Sequence, residues 1–200
     1  MARLLTLLLF AMISLVAAAP VPREAKKPRT DYFPTQVGSK WIYKHTKNAE
    51  WQRTDVITSV EQIDDAKIIY VGTLTEDGSV EHREKMKLSP LGLFKMDLSD
   101  QETDFLTRHL KFPIHSGDEW ECLMRGKMGT ATCEGIEEVD VPAGRYHAVK
   151  IVARRKTETI ELGEVEATGW FVLGIGPVKW GFGSGDAAEV LHSFTAGPGK

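Results

Sequence analysis

The stretch Lys67-Ile68-Ile69-Tyr70-Val71-Gly72-Thr73-Leu74-Thr75-Glu76-Asp77-Gly78-Ser79-Val80-Glu81-His82-Arg83-Glu84-Lys85-Met86-Lys87-Leu88 decides the fold. Asp77-Gly78 is a tight-turn dipeptide, and the residues on either side repeat with a period of two, the signature of an antiparallel hairpin. In the second arm Glu81, Arg83, Lys85 and Lys87 share one face, which is wet. Val80, His82, Glu84, Met86 and Leu88 share the other. That face is mostly apolar, and His82 and Glu84 are costly to bury there without partners, so they either pair or line a cavity. In the first arm Ile68, Tyr70 and Leu74 fall on one face and Ile69 and Val71 on the other. Such a strand is covered on both sides near its middle, as where a highly curved sheet folds around a core.

Working outward, the same period runs through Lys40–Thr46, Gln52–Ile63, Leu93–Leu98, Glu119–Arg125, Thr130–Val141, Tyr146–Thr159, Glu164–Leu173, Val178–Phe182 and Glu189–Phe194. Turn residues such as Asp64-Asp65 and Ser89-Pro90-Leu91-Gly92 separate these segments. Asp100–Leu110 is the one stretch that could hold a short helix. The expected fold is all-β and mainly antiparallel, a strongly curved sheet or unclosed barrel. Alternation and turn spacing do not separate a barrel from a sandwich, because both show them.

Phe33-Pro34, Gly38 and Trp41 recur at the same spacing as Phe112-Pro113, Gly117 and Trp120, an offset of 79 residues. Pro sets an extended lead-in, Gly allows a turn or close backbone approach, and Trp begins a strand by packing its ring into the core. The pattern implies two related β units, about residues 33–98 and 112–195, sharing one core.

The chain has 200 residues, 42% hydrophobic and 26% charged, with a formal net charge of −3. That combination excludes a disordered chain, a multi-span membrane protein and a dedicated nucleic-acid binder. Leu4 to Ala19 is free of charge, follows Arg3 and ends in small residues, the pattern of a cleavable signal peptide over residues 1–18. Residues 19–30, rich in Pro and basic side chains, read as a flexible tether, leaving a single β-rich domain over residues 31–196. The protein is therefore expected to be exported, to the periplasm or beyond the cell. An oxidising compartment favours a disulfide. In a hairpin centred between Lys127 and Met128, Cys122 and Cys133 would face each other, so a structural disulfide is expected, with a pair of free buried thiols as the alternative.

Three stretches carry a resemblance: Tyr32-Phe33-Pro34 with Gly38 and Trp41; Val141-Pro142-Ala143-Gly144-Arg145-Tyr146 with Val149-Lys150-Ile151; and Trp170-Phe171-Val172-Leu173-Gly174-Ile175-Gly176-Pro177-Val178-Lys179. Together they resemble the TapB-like group of exported bacterial proteins and related envelope domains of unknown function. The resemblance implies a strongly bent antiparallel sheet, broadly similar to LolA-type lipoprotein carriers, and brings no catalytic residue with it.

The residues themselves point the same way. His45, His82, His109, His115, His147 and His192 are scattered without metal-ligand spacing, so neither a metal nor a cofactor is expected. The acidic clusters Glu134–Asp140 and Glu158–Glu166 read as solvated faces, and Gly183-Ser184-Gly185-Asp186 lacks the strand and helix that a nucleophile elbow needs. Basic and acidic residues are balanced, so nucleic acid is not an expected partner. Two functions remain. One is non-enzymatic binding of an apolar or amphiphilic, lipid-like ligand on a concave face lined by Tyr70, His82, Glu84, Met86 and Phe94. The other is an envelope protein-interaction domain with a filled core.

Overall fold

A computed structural model describes residues 32–96, 107–124, 126–156, 164–183 and 186–198. The expected signal peptide and tether, and most of the stretch that could hold a helix, lie outside them. The described residues form twelve strands: β1 (Lys40–His45), β2 (Asn48–Ile63), β3 (Ala66–Leu74), β4 (Val80–Ser89), β5 (Gly92–Met96), β6 (Thr107–Lys111), β7 (Glu119–Met124), β8 (Lys127–Val141), β9 (Gly144–Lys156), β10 (Glu164–Val172), β11 (Gly176–Phe182) and β12 (Ala188–Thr195). No helix occurs among the described residues, and the end of the helix candidate, from Thr107 to Leu110, lies in strand β6. Its Leu93↔Leu110 and Phe94↔Arg108 pairing to β5 supplies the ladder that outweighs local helical preference.

All pairs are antiparallel, and each strand is hydrogen-bonded to its neighbour in sequence except β6 and β7, which end the order. The meander returns on itself where β1 pairs with β12, from Lys40↔Thr195 to His45↔Glu189. The sheet is thus a nearly closed barrel, open along one seam between β6 and β7 in the middle of the chain. Side-chain bonds cross that seam: Trp120 Nε1 donates to the Arg108 carbonyl at 2.9 Å, and Lys111 Nζ lies 3.4 Å from Asp118 Oδ2.

The two Phe-Pro…Gly…Trp segments turn alike at their glycines, although the Phe112-Pro113 peptide bond is cis and the Phe33-Pro34 bond is not. Gly38 and Gly117 both have φ of 85°, in the left-handed region that glycine enters without a Cβ clash. Gly38 N–H donates to Ile57 O and Ile57 N–H returns to Ser39 O; likewise Gly117 N–H donates to Cys133 O and Cys133 N–H to Asp118 O. Trp41 then enters the core, where Phe33 packs on its ring at 5.4 Å, and its indole N–H holds Ile175 O at 2.7 Å. Tyr43 Oη donates to Pro177 O at 2.7 Å, so two side chains of β1 pin the β10–β11 hairpin.

The disulfide expectation is overturned. The hairpin between β7 and β8 turns two residues earlier than expected, with Met124↔Lys127 as its last pair and Gly126 at φ 75°. Cys122 therefore faces Gly129, while Cys133 lies beyond the last β7 pair and bonds to the Gly117 and Asp118 backbone. Four pair positions along a ladder separate sulfurs by on the order of 13 Å, far outside disulfide reach. Both cysteines are free and buried.

Candidate functional site

Inward-facing residues follow from the pleat and its interruptions. On β1 and β2 the inward series is Trp41 and Tyr43, then Arg53, Asp55 and Ile57; on β9 it is Ile151, Ala153 and Arg155. On β4 a bulge changes the phase: Val71 pairs with Glu84 but Gly72 pairs with His82, leaving Arg83 as the extra residue. A bulge re-aims side chains, and here it sends Arg83 inward with Glu84 and turns His82 outward.

Two adjoining chambers occupy the interior, of about 250 and 230 Å³. They share His109, Phe171, Trp180 and Phe182, whose rings form the wall between them. Phe171 and Trp180 meet edge to face at 5.3 Å, and His109 stands edge-on to Trp180 at 5.5 Å. Gly169 makes room for this wall, because a Cβ there would lie 2.7 Å from the Trp180 ring and 2.9 Å from that of Phe171.

The first chamber is charged. Arg53 Nε donates to Asp55 Oδ2 at 2.9 Å and its Nη1 to Glu189 Oε2 at 2.6 Å, while the guanidinium lies 5.0 Å from the Tyr43 ring centre. Thr73 Oγ1 donates to the other Asp55 oxygen at 2.8 Å. Burial lowers the Arg53 pKa, but Asp55 and Glu189 outweigh it and hold the group above its ordinary value. Lys95 Nζ donates to Glu84 Oε1 at 3.0 Å. Burial raises the Glu84 pKa, yet Lys95 and Arg83 together keep it below the ordinary value. Arg83 Nε is 3.6 Å from Glu84 Oε1 and 3.7 Å from Asp55 Oδ2, too far for a hydrogen bond.

The second chamber is mostly apolar, lined by Cys122, Leu123, Met124, Ala131, Ile151 and Ala153 together with the shared rings. Burial pushes the Cys122 thiol pKa up, so it behaves as a small hydrophobe. Thr107 and Arg108 of β6 and Leu123 and Met124 of β7 all border this chamber, so it lies against the seam. Among the described residues no three His, Cys, Asp or Glu side chains converge as metal ligands would.

Of the five residues expected to line a concave face, Glu84 and Met86 do border the charged chamber. Tyr70, His82 and Phe94 border neither chamber. Tyr70 lies beneath Lys85 Nζ at 5.4 Å, His82 is exposed, and Phe94 lies under the Arg108 guanidinium at 4.9 Å. Arg53, Asp55, His109, Arg155 and Glu189 escaped sequence reasoning. The signal for Arg53, Asp55 and Arg155 was present, since each keeps phase with buried neighbours on its strand, Ile57 or Ile151. His109 carried none, because a bulge in the β5–β6 pairing sets its direction.

No family model matches the chain, so the TapB-like resemblance has no family match behind it, and no curated protein matches either. Solved structures do. One, from Bacteroides fragilis, is named a "putative exported protein with YmcC-like fold"; it is 13% identical, has a TM-score of 0.52, and the match covers 83% of this chain and 99% of that one. The barrel is similar in fold to that protein. A second, named a "putative lipoprotein" from Parabacteroides distasonis, has a TM-score of 0.50 at 13% identity over the same shares of the two chains.

Proposed function

We propose that this chain is a non-enzymatic domain of the cell envelope, exported by its leader, that holds an apolar or amphiphilic small molecule inside its barrel. The observation that carries the reading is the mostly apolar chamber of about 230 Å³ inside the barrel, which has the charged side chains Arg155 and Glu166 among its lining. An amphiphile needs that combination: apolar lining removes a chain from water, and a few fixed polar groups orient its head. The leader of residues 4 to 19 supports export, as do the names of the two proteins that share the fold.

Protein purified from its native compartment and analysed by denaturing mass spectrometry is expected to release a lipid-like molecule in near-stoichiometric amount. Ala153 borders the apolar chamber and remains half-buried, so Ala153→Trp should fill the space and abolish retention while the barrel still folds. A filled-core interaction domain would release nothing from either protein, and that result would remove the ligand-binding reading.

A further inference from the structure

The apolar chamber holds a group that its lining does not satisfy. Arg155 continues the inward series of Ile151 and Ala153 on β9 and borders the chamber. Its Nε is closed off from solvent and has no hydrogen-bond partner among the described residues. Among the described residues no carboxylate lies within 4.0 Å of its guanidinium, whereas the cations of the charged chamber all have one: Arg53 has Asp55 at 2.9 Å, Arg83 has Glu84 at 3.6 Å and Lys95 has Glu84 at 3.0 Å. Glu166 also borders the apolar chamber, but its carboxylate accepts from Arg154 Nε at 3.0 Å. Arg108, the other cation there, rests on the Phe94 ring.

A guanidinium stays charged at any ordinary pH, so leaving its closed-off Nε–H unpaired costs free energy that an incoming anion would recover. The charged chamber offers an anion less, because Asp55, Glu84 and Glu189 already match its three cations.

We infer that the bound molecule is a single-chain amphiphile with a carboxylate head, the head paired with Arg155 and the hydrocarbon chain lying along Met124, Ala131 and Ile151 toward Trp180. One planar guanidinium fork suits one carboxylate, since two parallel N–H donors meet its two oxygens. The inference rests on the amphiphile reading above and adds the head-group chemistry.

Calorimetric titration of the purified protein with dodecanoate and with dodecanol tests it. Dodecanoate is expected to bind roughly tenfold or more tightly than dodecanol. That preference should vanish in Arg155→Gln and return in part in Arg155→Lys. Equal binding of acid and alcohol by the wild-type protein, or a preference that survives Arg155→Gln, overturns the carboxylate inference while leaving the amphiphile reading intact. Binding of neither compound overturns both. The acid-to-alcohol comparison needs no variant, so it decides the matter even where Arg155→Gln fails to fold.

Discussion

His109 shows how much one side chain depends on its surroundings. Its ring stands against Trp180 and borders both chambers, and its Nε2 is buried without a hydrogen-bond partner among the described residues. Burial lowers its pKa from 6.5 to about 4, with Lys95 pushing the same way and Glu84 opposing. The unfolded chain therefore binds a proton between those values that the folded protein refuses, and stability rises with pH across that window. The contribution is fully present above pH 6.5 and is lost as the pH falls toward 4. Urea titrations at pH 7 and pH 4 are expected to show the wild type losing on the order of 1–3 kcal/mol more than His109→Phe, which keeps the ring but cannot titrate. Nothing in the spacing of the histidines distinguished His109 from the other five. The distinction is one of burial, and burial belongs to the folded chain.

At the scale of the elements, turn position decides what faces what. Periodicity placed the strands on either side of Gly126 correctly, but alternation is unchanged when the turn moves by two residues. The positive φ of the turn is taken at Gly126. Gly129 instead lies in the ladder, where a Cβ would come within 2.7 Å of the Arg154 carbonyl of β9. That one choice separates Cys122 from Cys133. Alkylation of the denatured but unreduced protein should therefore add two labels per chain by mass spectrometry, and an unlabelled, oxidised form would contradict the register. The β4 bulge teaches the same lesson: Glu84 and Met86 were legible as inward residues from their strand, but the exchange of His82 for Arg83 was not. A bulge follows from how two strands fit, which neither strand's own pattern records.

For the whole molecule, the open seam is the feature that most affects function, since the apolar chamber lies against it. Trp120→Phe keeps a ring on β7 but removes the N–H that the Arg108 carbonyl accepts across the seam. The change is expected to cost about 1 kcal/mol in urea unfolding and to speed amide exchange in β6 more than in β1, which is paired on both sides. The all-β class, the antiparallel meander and the two Gly…Trp corners are legible in the residue order alone. These follow from local alternation, turn chemistry and backbone freedom, all of which act within a few residues. Folding of the whole sheet is what closes it between β1 and β12, leaves it open between β6 and β7, and brings Arg53, Glu84, His109 and Arg155 into one interior. The reason is physical. Closure and side-chain convergence depend on twist and bulges accumulated over twelve strands, and on contacts such as Trp41 to Ile175 that join residues 134 positions apart.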